Sequence, residues 1–119
     1  MTSGARRWTV RLTQVAEADF REILLWTVDQ FGEAQARAYA ETISAALTDL
    51  TAGPTVAGVR ERDDIGKGLS TFHVARKGRK GRHFVLFRRG GGRDVIDVLR
   101  LLHDAMDLPR HVPPEDSST

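Results

Sequence analysis

The chain has 119 residues, no cysteine and a formal net charge of +2, a length that supplies one hydrophobic core and leaves no room for a second domain. Without thiols it forgoes disulfides, thiolate nucleophiles and cysteine-bound zinc, as suits a reducing cytoplasm. No apolar run approaches the roughly 18 residues of a membrane span, and no apolar stretch of a signal peptide follows the basic start Met1-Thr2-Ser3-Gly4-Ala5-Arg6-Arg7, so the expected location is the cytoplasm, away from any membrane.

Trp8, Val10 and Leu12 alternate with Thr9 and Arg11, the two-residue period of a short half-buried strand. Thr13 then stands where a helix needs a cap, and Glu17 and Asp19 lie near the positive end of the helix dipole. Ala16, Phe20, Ile23, Leu24, Thr27 and Phe31 recur at helical spacing and predict one inward stripe, ended by Gly32. A second helix is predicted from Glu33 to about Ala52, with Ala36, Tyr39, Ala40, Ile43, Ala46, Leu47 and Leu50 on one face and Gly53-Pro54 as its stop. So short a link makes the two helices antiparallel neighbours, an αα-hairpin.

Residues 55–68, rich in glycine and charge, read as a loop. Three strand-like runs follow at residues 69–76, 82–89 and 94–102, and the short glycine-containing links between them favour hairpins. Phe84-Val85-Leu86-Phe87 and Val98-Leu99 are apolar on both faces, as central strands are. The predicted fold class is α+β: an N-terminal strand, an αα-hairpin and a three-stranded antiparallel meander, with the helices packed on one face of the sheet. One domain is expected over residues 6–112, and the polar, proline-containing tail at 113–119 reads as disordered.

Charge is divided along the chain. Residues 13–64 carry ten acidic side chains against four arginines, net −6, whereas residues 66–93 carry nine basic side chains and no acidic one, net +9. An acidic partner would be drawn to the second segment; a solvated lysine- and arginine-rich surface is the plainer reading. The basic run at 77–82 resembles a nucleic-acid patch, but no aromatic residue lies inside it to stack on bases. Gly90-Gly91-Gly92 joins two strands instead of leading into a helix, and so reads as a hairpin turn and not a phosphate loop. The four histidines, His73, His83, His103 and His111, show no metal-ligand spacing, and no metal or cofactor is expected. Trp26 lies off the main stripe of the first helix, where it serves either as an exposed anchor for a partner or as a partly buried edge residue.

Taken together, certain pieces resemble a known family over about residues 7–112. They are Leu12-Thr13 with Ala16-Glu17 and Asp19-Phe20, Phe31-Gly32, and the alanine-rich second helix closed by Gly53-Pro54. The most specific are His83-Phe84-Val85-Leu86-Phe87-Arg88, Asp94-Val95-Ile96-Asp97-Val98-Leu99-Arg100-Leu101-Leu102-His103, Met106-Asp107 and Arg110-His111. In that order and spacing the chain resembles the RelE/ParE superfamily of toxins, closer to the ParE branch. The resemblance implies an αα-hairpin on an antiparallel sheet, and a cognate antitoxin whose acidic amphipathic tail folds along the toxin while its other end binds operator DNA. Contact with operator DNA would then be indirect. Arg76, Arg82, Arg88, Arg89 and Arg93 are the expected contacts for that tail, with Trp26 beside them, because a disordered acidic segment gains Coulomb energy there that offsets its ordering cost.

The resemblance also carries two activities: ParE-like members poison DNA gyrase and so block replication, and RelE-like members cut messenger RNA on the ribosome. The first is the expected function, with residues 103–111 (His103, Met106, Asp107, Arg110 and His111) as the target contact by resemblance alone. The alternative is ribonuclease action through Arg82, His83, Arg100 and His103, which would need a base, an acid and cations for the phosphorane charge. A third possibility is a family member that binds its partner and has lost toxicity. Against catalysis, the nuclease branch resembles chains with a tyrosine or another acid or base after the last strand, and the one tyrosine here is Tyr39. By alternation Arg100 shares a strand face with Ile96, Val98 and Leu102, where an arginine pairs with a carboxylate on the helices or with Asp97 of a neighbouring molecule. His103 reads as an anchor for the C-terminal segment. No catalytic residue is therefore assigned.

Overall fold

A computed structural model describes residues 7–105. The elements run β1 (Thr9–Leu12), α1 (Gln14–Phe31), α2 (Glu33–Leu50), β2 (Val59–Glu61), β3 (Ser70–His73), β4 (His83–Arg89) and β5 (Val95–His103). They form one five-stranded sheet in the order β1-β5-β4-β3-β2, with β1 parallel to β5 and every other pair antiparallel. The fold class is the α+β arrangement read from the sequence.

Local chemistry explains the helix boundaries. Thr13 caps α1, its Oγ1 accepting from Ala16 N at 3.1 Å. Gly32 ends α1 by donating its N–H to Val28 O at 2.8 Å and starts α2 in the same step. Its φ of +94° is a conformation that a side chain would strain. A one-residue link of this kind lets the two helices fold back on each other as an antiparallel pair.

The main core lies between the helix pair and the sheet. Ala16, Ile43, Ala46 and Leu50 from the helices meet Phe72, Val85, Phe87, Ile96, Val98 and Leu101 from the strands. A smaller cluster, Leu69, Leu86, Leu99 and Leu102 with Ile65 and Phe84, covers the opposite face. A β-bulge makes both possible: Leu86 pairs with Arg100 and Phe87 with Val98, so Leu99 is an extra residue on β5. Strict alternation would send Val98 and Leu101 to opposite faces, yet both enter the main core. The bulge thus corrects the expected grouping of Arg100 with Ile96, Val98 and Leu102, since Leu102 belongs to the second cluster.

Three further expectations need correction. The segment at 55–68 contains β2, which makes the antiparallel part four strands instead of three. With Val59 as its single apolar residue it carries no period of its own, and its pairing with Phe72, Thr71 and Ser70 comes from the tertiary fold. The run at 69–76 is a strand only over Ser70–His73. Phe31, assigned to the inward stripe, is 65 % exposed because α1 ends there, beyond the reach of the core.

β1 is too short to cover β5. Beyond Leu12 the start of α1 takes its place: Thr13 N donates to Val98 O at 3.0 Å, Thr13 Oγ1 donates to Leu99 O at 3.1 Å, and Leu101 N donates to Asp19 Oδ2 at 3.0 Å. An open strand edge is a template for unwanted pairing, and here side chains of the helix close it.

Candidate functional site

β4 and β5 run antiparallel, so His83, the first residue of β4, lies opposite His103, the last of β5. Their rings meet edge to face at 5.3 Å. Tyr39 on the inner side of α2 reaches His83, with Oη 2.7 Å from Nδ1, and the same Oη accepts the Arg82 backbone N–H at 3.0 Å. The hydroxyl has one proton and two lone pairs, so it bridges the Arg82 backbone and the His83 ring at once. Gly81 makes this approach possible, because a Cβ there would stand 2.5 Å from Val74 Cγ2 and 3.1 Å from the Tyr39 ring. Burial, and next the neighbouring His103, push the His83 imidazole down to about 4; burial likewise raises the Tyr39 hydroxyl.

These residues form one wall of an open cleft of about 600 Å³. Its other wall comes from the tip of the helix hairpin, where Trp26 and Phe31 meet edge to face at 5.8 Å. Both rings are mostly in solvent. Asp104 stands behind the cleft, accepting from His73 Nε2 at 3.0 Å and Arg82 Nε at 3.1 Å, and these two partners hold its carboxyl below the usual carboxylate range. His103 accepts from Ala105 N at 3.1 Å and so anchors the turn that leaves β5.

Of the four ribonuclease candidates, the structure gathers Arg82, His83 and His103 at this cleft. Arg100 is turned to α1, where Asp19 accepts its Nε at 2.8 Å and its Nη2 at 3.0 Å. The carboxylate is on a helix, one of the two partners considered from the sequence. An imidazole at about 4 is a weak proton acceptor at neutral pH, and the arginine suited to phosphorane charge is held elsewhere. The cleft presents aromatic faces, the His83 and His103 rings and the cations of Lys80 and Arg82. Among the described residues no group of three histidine or carboxylate side chains is placed to hold a metal ion.

The arginines expected to meet a partner are spread over three places. Arg82 shares the cleft with Trp26, which is 59 % exposed. Arg88 and Arg89 lie at the other end of β4, about 20 Å away at the ordinary strand rise, where with Lys67 they line a second groove of about 570 Å³. Arg89 sits over the Trp8 ring at 5.3 Å, and Arg93 is exposed in the following hairpin. Arg76 is engaged inside the fold: it stacks on Phe72 at 4.1 Å, and its Nη1 donates to Ala57 O at 2.6 Å and its Nε to Asp49 at 3.3 Å. Met106, Asp107, Arg110 and His111 lie outside the described residues.

Sequence reading missed Tyr39, Phe31 and Lys80 as parts of the cleft. Tyr39 looked like one more member of a core stripe, and Phe31 stands five positions after Trp26, a spacing that no single helical stripe reveals.

A family model described as the ParE toxin of the type II toxin-antitoxin system, parDE, matches residues 10–108. The chain belongs to the ParE toxin family. Toxin ParE1 of Mycobacterium tuberculosis, in strain CDC 1551 / Oshkosh as in strain H37Rv, is 35 % identical over 101 residues, which cover 85 % of this chain and 94 % of that protein. Among solved structures, a chain of the chromosomal ParDE system from P. aeruginosa aligns with TM-score 0.65 at 22 % identity, covering 82 % of this chain and 96 % of its own. A chain of the RelBE2 toxin-antitoxin complex from M. tuberculosis aligns with TM-score 0.54 at 20 % identity, covering 82 % and 98 %. At those identities the two structures speak for the fold. Among the described residues no helix of this ParE-family toxin is long and apolar enough to cross a membrane.

Proposed function

We propose that the chain is a cytoplasmic toxin that inhibits DNA gyrase and is neutralised by a cognate antitoxin with an acidic amphipathic segment. The observation that carries the antitoxin half is the division of charge. The +9 stretch at residues 66–93 folds onto β3, β4 and their hairpins, so an acidic disordered segment crossing Arg88, Arg89 and Arg93 towards Arg82 and Trp26 gains Coulomb energy against its ordering cost. Any approach to operator DNA is through the antitoxin. Gyrase as the target rests on membership of the ParE family, and the target contact is assigned to residues 103–111, of which His103 lies at the cleft.

Two assays test this reading. Purified chain added to gyrase and relaxed plasmid is expected to suppress supercoiling, and equimolar antitoxin to restore it. Arg88→Glu with Arg89→Glu is expected to weaken antitoxin binding by at least tenfold and to flatten its salt dependence. Transcripts cut on ribosomes with DNA topology untouched would replace gyrase inhibition with ribonuclease action, and harmless expression without antitoxin would mark a binding-only family member.

A further inference from the structure

The basic run at residues 77–82 has no aromatic side chain of its own on which a base could stack, but the fold brings two to it from α1. Trp26 and Phe31 form one side of the cleft, 59 % and 65 % exposed, and Lys80, Arg82 and His103 stand on the other. Among the described residues no carboxylate lines it. Arg82 gives its Nε to Asp104, and its two terminal nitrogens make no hydrogen bond among the described residues. Gln35, which also lines the cleft, leaves its amide donor and acceptor unengaged among those residues.

We infer that this cleft binds single-stranded nucleic acid, one unpaired base against the Trp26 and Phe31 rings and its phosphates on Lys80 and Arg82. Stacking on an aromatic face beside cations is how sequence-tolerant single-strand sites work, and a space of about 600 Å³ admits an unpaired nucleotide or two but no duplex. The Gln35 amide and the His83 ring, both lining the cleft, are polar groups that a base edge satisfies. The site is independent of the gyrase reading.

The test uses the full chain alone, with neither antitoxin nor gyrase, and fluorescence anisotropy of labelled ten-residue oligo(dT), oligo(rU) and a ten-base-pair duplex. Binding of the single strands more tightly than the duplex is expected. Trp26→Ala, at an exposed position that keeps the fold by circular dichroism, is expected to weaken single-strand binding about tenfold or more. Lys80→Ala with Arg82→Ala is expected to lower the slope of log K against log salt by about 1.4, two phosphates' worth, whereas Arg60→Ala on β2 leaves it unchanged. Wild-type affinity in Trp26→Ala, or a duplex bound as tightly as the single strands, overturns the inference. So does an acidic leucine-glutamate peptide that binds in a Trp26-dependent way while the oligonucleotides do not.

Discussion

Asp19 on α1 holds Arg100 on β5 through two parallel hydrogen bonds, and the same carboxylate accepts the Leu101 backbone N–H at the edge of the sheet. The two side chains are 12 % and 23 % exposed, so water does little to replace a lost partner. Removing one member of such a pair costs more than the pair contributes, because the other charge stays behind. Asp19→Ala is expected to lower stability by about 2–3 kcal/mol. Asp19→Asn, which keeps an acceptor for Leu101, should lose less. Urea unfolding of the two variants checks the order, and an unchanged midpoint in Asp19→Ala would show that the strand edge needs no carboxylate.

The low proton affinity of His83 sets a pH dependence of definite sign. Between its unfolded value of 6.5 and its folded value of about 4, the unfolded chain binds a proton that the folded one does not. Stability is therefore fully present above the upper value and declines as pH falls toward the lower one. The imidazole is only half-buried, so solvent screening reduces the expected loss between about pH 7 and pH 5 to about 1 kcal/mol. Asp104, also held low, contributes stability that is lost only at more acidic pH, below the ordinary carboxylate range. Unfolding midpoints at the two pH values in wild type and His83→Gln isolate the effect, and an equal drop in both would assign it to another group.

Arg76 separates structure from recognition. Its contacts with Phe72, Ala57 and Asp49 tie the strand end to α2 and to the loop before β2. Arg76→Ala is expected to lower stability by about 1–2 kcal/mol and to leave the salt dependence of antitoxin binding where it was. Loss of affinity at unchanged stability would return Arg76 to the partner surface.

Thr71 carries a buried hydroxyl with no hydrogen-bond partner among the described residues. Such an oxygen costs about 1–3 kcal/mol, and valine has nearly the same shape. Thr71→Val is expected to raise the thermal midpoint by several degrees. A lower midpoint would mean that the hydroxyl is satisfied after all.

Much of the architecture was legible because it rests on local chemistry. Thr13, Gly32 and Gly53-Pro54 punctuate the helices where capping and left-handed backbone require them, and the alternation of Trp8, Val10 and Leu12 marks β1. What escaped depends on distant partners. β2 exists because β3 offers it a ladder, the bulge at Leu99 exists because two clusters compete for one strand, and the cleft joins residues of α1, α2, β4 and β5. The arginines looked alike in sequence, yet Arg76 and Arg100 became internal ties and Arg93 an exposed cation, a difference set by whether a carboxylate or ring folds beside each.

The parallel pairing of β1 with β5 joins Thr9 to Val95 and Leu12 to Val98. During synthesis the first strand and the helix hairpin emerge before their template, which is made only after β2, β3 and β4. Long-range closure of this kind is slow, so a newly made molecule passes through a stage in which its sheet lacks the strand that places His103 beside His83. Throughout that interval the strand-side wall of the cleft is incomplete, and translation itself sets the earliest moment at which the protein can act.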